Sequence, residues 1–156
     1  MNKQDTQDIA ALYYRYAYGI DAGDFDSVVK MFEHTSILDS QGNVLAQGSA
    51  QIKQFYLRII KIYPDTGTPK TQHVVSNVLI HSQSKDQIKA IANYSVFQKQ
   101  PNGHIEAIIC GQYHSVFKSG VDGWFFYQHQ TKPLMVGDMT HHLKISIQDI
   151  ADRDKQ

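Results

Sequence analysis

Residues 87–118 read QIKAIANYSVFQKQPNGHIEAIICGQYHSVFK, and this stretch decides the fold class. Ile88, Ala90, Ala92, Tyr94 and Val96 fall at every second position, which puts them on one face of a strand. Pro101-Asn102-Gly103 is a turn signal. Beyond it Ile105, Ala107, Ile109, Gly111, Tyr113 and Phe117 again share a face. Two long antiparallel strands are therefore expected over Gln87–Gln98 and His104–Lys118. On the N-terminal side, Thr71–His81 is rich in strand formers. On the C-terminal side, Gly120–Gly123 turns the chain into a last strand over Trp124–Met135.

The N-terminal half has the other period. Ile9, Leu12, Tyr13, Tyr16, Ala17 and Ile20 form one face of a 3.6-residue helix, with Asp5 or Thr6 as its cap and Gly23 at its end. Asp24 reads as the cap of a short second helix carrying Val28, Val29, Met31 and Phe32. A hairpin, Ser36–Asp39 with Val44–Gln47, is expected around Gln41-Gly42-Asn43. A third helix should run from about Ser49, as cap, to Ile62, with Pro64 stopping it. Helices followed by long antiparallel strands make an α+β chain. Such a sheet must curl, and the three helices are the available lid. The expected shape is a cone around a small-molecule pocket, with a filled core as the plainer alternative.

Length and charge narrow the function classes. At 156 residues the chain fits one domain with a core and one internal pocket. Fifteen Lys plus Arg balance fifteen Asp plus Glu, which argues against nucleic acid or a membrane surface as partner. Cys110 is the single cysteine, so neither an internal disulfide nor a cysteine zinc site is available. Met1–Asp8 has no apolar signal core and no run of 18 apolar residues occurs, so a cytoplasmic domain is expected. Residues 1–144 read as the domain and 145–156 as a loosely ordered tail. Trp124 reads as core and Cys110 as an inert strand residue. His141-His142 with His129 lacks ligand spacing, so no metal is expected.

Three segments carry a family resemblance. They are YAYGIDAGDFD (residues 16–26), TQHVVSNV (71–78), and a C-terminal set comprising Gly111-Gln112-Tyr113, Asp122-Gly123-Trp124 and GDMTHHL (137–143). In this order and spacing they resemble the SnoaL-like branch of the NTF2-like superfamily, near scytalone dehydratase, hexachlorocyclohexane dehydrochlorinase and the bile-acid 7α-dehydratases. The resemblance implies the α+β cone. It implies a cofactor-independent lyase or isomerase acting on a small apolar cyclic metabolite. It also implies self-association, as dimer or trimer, through the outer sheet face. The alternative on the same fold is a non-catalytic binding protein or assembly subunit.

The family's lyases place an aspartate at the end of the first helix and a histidine at the start of the first long strand. Asp21 and His73 hold those positions, and Tyr16 matches a tyrosine five residues before the aspartate. The resemblance makes His73 the proton-abstracting base, Asp21 its orienter and Tyr16 a helper. On a helical wheel Asp21 lies at the margin of the apolar stripe. Tyr16 lies well round from it, so joint action requires the helix to unwind near Gly19. Asn77, four residues after His73 and so on its face of an ideal strand, either orients substrate or satisfies a strand end.

The expected substrate-binding set is Asn77, Tyr94, Tyr113 and Lys132, the last where the bile-acid enzymes carry an arginine. Gln98 or a neighbour falls where scytalone dehydratase has its second histidine, and Val96 or Phe97 where the bile-acid enzymes have an aspartate. His114, Tyr113, Tyr127, Phe126 and His129 either line the pocket or form the outer face.

Overall fold

Tyr13 and Ile9 on helix α1 (Lys3–Ala22) are fully buried, and Tyr16, Ala17 and Ile20 continue the stripe down the same face. The computed structural model describes residues 3–152. Asp5 and Thr6 lie inside α1 and do not cap it. Asp5 instead accepts hydrogen bonds from Trp124 Nε1 at 3.0 Å and Gln83 Nε2 at 2.6 Å, tying the helix to the sheet. Trp124 is accordingly half-buried under the helix start and not central core. α1 ends where Gly23 adopts φ +68°, a left-handed turn that only glycine makes without strain. Asp24 then accepts from Ser27 N at 3.0 Å and caps α2 (Phe25–Lys30), which stops two residues before Phe32.

Strands β1 (Ser36–Leu38) and β2 (Val44–Gln47) form the expected hairpin, and α3 spans Gly48–Ile59. Its N-cap is Gln47. Ser49 sits inside the helix and donates to the Val29 carbonyl at 2.7 Å. Pro64 does not set its end. Ile60 turns extended because the chain leaves the helix to pair with a C-terminal segment. Lys61 N donates to His142 O at 2.8 Å and Lys144 N to Ile59 O at 2.8 Å. That pairing matters later, since it delivers His142 to the interior.

Four long strands complete a six-stranded, curved, open sheet: β3 (Thr71–Gln83), β4 (Gln87–Lys99), β5 (Ile105–Gly120) and β6 (Gly123–Val136). The order is β2-β1-β6-β5-β4-β3, antiparallel throughout except that β1 runs parallel to β6. Ile88, Ala90, Ala92, Tyr94 and Val96 all face inward, as their alternation requires. Together with the helix stripes they build one core, each large side chain contributing about 1.5–3 kcal/mol by its burial.

Bulges displace three other expectations. In β5, Val96 faces Ile109 but Phe97 faces Ala107, so Ile108 is an extra residue. Ile108 and Ile109 are both buried, while Ile105 is 73% exposed. In β3 the register shifts between Ser76 and Leu79, and Asn77 has φ +54°. In β6 it shifts between the partners of Val116 and Phe117, leaving Tyr127 without an opposite residue.

The C-terminal expectation also changes. Ile145, Ile147 and Ile150 pack against the core, and α4 (Ile147–Asp152) forms where a fraying tail was expected. The repeated isoleucines give that segment enough apolar area to dock. Residues 153–156 of the expected tail lie outside the described residues. No helix among the described residues is long and apolar enough to cross a membrane.

Candidate active site

The C-terminal turn of α1 faces the start of β3, and there Asp21 meets His73. The His73 ring donates from Nδ1 to Asp21 Oδ1 at 2.5 Å, and its backbone N–H donates to Oδ2 at 2.7 Å. Thr71 Oγ1 donates to Oδ1 at 2.8 Å. Three donors thus fix one carboxylate, and the carboxylate fixes the imidazole tautomer. Nδ1 carries the proton, so Nε2 is left with its lone pair. Nε2 makes no hydrogen bond among the described residues. The His73 side chain is 7% exposed and lines the main internal cavity.

That cavity has a volume of about 200 Å³. Its walls come from α1 (Tyr16, Ile20), α3 (Phe55, Tyr56, Ile59), the inner faces of β4–β6 (Tyr94, Val96, Tyr113, His129, Thr131) and the C-terminal segment (Met139, His142, Leu143, Ile147, Ile150). No Lys or Arg lines it among the described residues. Among the described residues Asp39 is the one carboxylate in the wall, and its oxygens are taken up by Gln41 N, Asn43 N and Asn43 Nδ2, each at 2.8 Å.

Of the other expected residues, Tyr16, Tyr94 and Tyr113 reach the cavity and Asn77 and Lys132 do not. Tyr16 lies on the buried stripe, and the helix stays wound to Ala22, so the unwinding near Gly19 does not occur. Its phenol interacts with those of Tyr56 and Tyr113, and burial pushes all three hydroxyls above their usual range. They remain neutral donors at any physiological pH. Asn77 is exposed, because the left-handed bulge spends one residue and hands the inward positions to Val78 and Ile80. Lys132 pairs with Gln112 on the outer face, between the inward-facing Thr131 and Pro133. His114 and Tyr127 also lie outside the cavity, whereas Phe126 and His129 are fully buried.

Two further histidines line the cavity: His129, one of the residues that the sequence left between pocket and outer face, and His142, which the sequence offered only in a metal-ligand set. His142 is 6% exposed and lines the cavity, and its Nδ1 has no hydrogen-bond partner. Burial, reinforced by the neighbouring His73, lowers its pKa to about 4. It is placed by the α3 pairing and by Gln98, whose Nε2 donates to Pro69 O and His141 O, both at 3.0 Å. Gln98 itself is thus a brace and not a site group. His129 is buried, its Nδ1 lies 2.9 Å from Ser115 Oγ, and burial lowers its pKa to about 3. For His129 the signal was its place in the set that lines either the pocket or the outer face, and for His142 its place within GDMTHHL. No group of three His, Cys, Asp or Glu side chains is gathered as for a metal ion among the described residues.

Gly111 lets Tyr94, on the cavity wall, and the β6 backbone approach closely. A Cβ there would meet the Tyr94 hydroxyl at 2.8 Å and Pro133 Cα at 3.0 Å, as well as the Lys132 carbonyl. Because two of these obstacles are backbone, Gly111→Val is expected to cost about 1–3 kcal/mol. The check is a lowered midpoint in urea unfolding. An unchanged midpoint would mean β6 shifts freely.

A family model described as a SnoaL-like domain matches residues 3–128. No curated protein matches at a significant level. Among solved structures, a candidate aromatic ring hydroxylase from Novosphingobium aromaticivorans superposes with TM-score 0.72 at 19% identity, covering 90% of this chain and 98% of that one. A candidate dehydratase of the NTF2-like family from Streptomyces avermitilis gives TM-score 0.66 at 14% identity, covering 87% and 100%. A candidate scytalone dehydratase from Novosphingobium aromaticivorans gives TM-score 0.64 at 18% identity, covering 83% and 84%. At these identities the likeness establishes the fold, and activity has to be argued from the site.

Proposed function

The chain belongs to the SnoaL-like domain family, and from that premise we propose that it is a cofactor-independent lyase or isomerase acting on a small, apolar cyclic metabolite. The observation that carries this reading is the free His73 Nε2 at the wall of an apolar cavity, with Nδ1 held on Asp21 at 2.5 Å. An imidazole so held can act as a general base, and the carboxylate stabilises the imidazolium that forms.

The step proposed is abstraction of a proton from a carbon beside a carbonyl. Nε2 takes the proton and the C–H electron pair moves into an enolate. In elimination, those electrons form the new double bond, and a departing hydroxide takes the proton from His73 to leave as water. In isomerisation, His73 returns the proton to another carbon. Both routes close without an oxidant, reductant or cofactor. Tyr16, kept neutral by burial, helps as a hydrogen-bond donor from the cavity wall. Self-association through the outer sheet face, where Phe97 and Tyr127 are exposed, belongs to the same reading and would appear as a dimer or trimer in sedimentation.

Proton abstraction can be read without knowing the natural substrate. Cyclic ketones such as 1-indanone and 2-tetralone in D2O should take up deuterium at the α-carbon faster with the protein than in buffer. Asp21→Asn keeps the volume but sets an NH2 against the donors at His73 N and Thr71. It should cut the exchange at least tenfold while the protein stays folded, roughly the share general-base orientation supplies. No exchange above buffer, with the ketone bound, would replace the lyase reading by the non-catalytic binder.

A further inference from the structure

His142 borders the same cavity as His73, on a segment that is firmly clamped. Its backbone carbonyl accepts from Lys61 N at 2.8 Å, and the neighbouring His141 carbonyl accepts from Tyr63 Oη at 2.7 Å and from Gln98 Nε2 at 3.0 Å. The residue so held is 6% exposed, and its ring stands near enough to the Asp21–His73 pair for both of their charges to act on it. Of its two ring nitrogens, Nδ1 is sealed and unpaired. Nε2 likewise makes no hydrogen bond among the described residues, but it is not sealed. An orphaned buried N–H is rarer than an orphaned lone pair, so Nδ1 keeps its lone pair and Nε2 carries the hydrogen. Burial lowers the ring's pKa to about 4, which keeps it uncharged through the neutral range. His142 is therefore a neutral N–H donor beside the base, with its hydrogen uncommitted.

We propose that His142 Nε2–H donates to the substrate's carbonyl oxygen, so that the site pairs one imidazole for the proton with a second for the oxygen. For its role in turnover the inference rests on the proton-abstraction reading above, whereas the hydrogen bond to a bound ketone requires no turnover. When His73 Nε2 removes the α-proton, the C–H electron pair moves into the C=C bond of an enolate, and negative charge collects on the oxygen. In an apolar cavity that charge is costly unless a fixed donor meets it. The oxygen sits two bonds from the carbon being deprotonated, so its donor has to stand beside the base, as His142 stands beside His73. A neutral imidazole suits the task. It donates without giving its proton away, and it adds no positive charge to oppose the His73 imidazolium. The oxygen stays hydrogen-bonded until the electrons return to carbon or expel the leaving group, and His142 ends the cycle unchanged. The ligand is thereby a ring ketone with an acidic C–H next to its carbonyl.

The probe is 1-indanone carrying carbon-13 at the carbonyl, bound to the full chain and read by isotope-edited infrared spectroscopy. A donor on the oxygen lowers the C=O stretch, so the stretch should rise by about 10 cm−1 from the parent to His142→Phe. His142→Gln keeps an N–H and should hold part of the shift, and His73→Ala should leave the stretch where the parent has it. Deuterium uptake by the same ketone should fall about 10²-fold in His142→Phe, in kcat far more than in KM, and recover about tenfold in His142→Gln. His142→Phe removes an unpaired buried nitrogen and should fold; His142→Leu is the second donor-free variant should the larger ring not fit. An unshifted stretch in the donor-free variants overturns the inference, as does exchange in them at the parent rate or a failure of 1-indanone to bind. A shift that depends on His142, with no exchange by the parent, sinks the lyase reading and leaves His142 standing as the group that holds the ligand oxygen.

Discussion

His73→Ala is expected to lower the rate of α-proton exchange by about 10²- to 10⁴-fold, the usual contribution of a general base. The loss should fall on kcat more than on KM. The cavity's apolar wall, which supplies the binding, is built by other residues, while Nε2 acts only on the proton in flight. Folding should survive, because Asp21 keeps two of its three donors, Thr71 Oγ1 and the backbone N–H of residue 73. The measurement pairs single-turnover exchange rates with a thermal melt of each protein. Added imidazole should restore part of the rate in the variant, since the vacated volume opens onto the cavity. A variant as fast as the parent would remove His73 from the mechanism, whatever the melt shows.

Acid should destabilise the fold well before its carboxylates titrate. His129 and His142 are buried and neutral, with pKa values lowered by burial to about 3 and about 4. In the unfolded chain both return to about 6.5. Below pH 6.5 the unfolded state therefore binds protons that the folded state refuses, so stability falls as pH falls. The window runs from 6.5 down to about 4 for His142 and about 3 for His129. By pH 4.5 each costs on the order of 2–3 kcal/mol, which together is a large part of an ordinary domain's total of about 5–15 kcal/mol. Urea unfolding at pH 7 and pH 4.5 reads the difference directly. His142→Asn should flatten the pH slope by roughly half. Equal midpoints at the two pH values would mean that water reaches these rings.

The architecture was legible because it rests on simple periods. The α1 stripe, the Gly23 stop, the Asp24 cap and the inward face of β4 follow from spacing and local chemistry alone, and the folded chain keeps each of them. Asp21 and His73 were singled out by resemblance. Their meeting is a contact between residues 52 positions apart, made by docking the end of α1 on the start of β3.

Where the sequence reading failed, alternation had been carried through a bulge. A strict two-residue period puts Phe126 and His129 on opposite faces. The register shift opposite Val116 and Phe117 spends Tyr127 and turns both inward, which is how His129 reaches the cavity. The same device removes Asn77 from the face of His73. Lys132 failed for the converse reason. Its phase was regular, but it belongs to the outer set with Gln112. His142 was decided still further away, by chain pairing between 59–61 and 142–144 and by the Gln98 brace.

The sequence by itself determined the three N-terminal helices, the long strands and the α+β class. These depend on neighbours within a turn or two of chain. Only the tertiary structure decided which polar groups face the cavity. A one-residue bulge inverts every side chain beyond it, and its position is set by the curvature that the open sheet and its helices impose on one another.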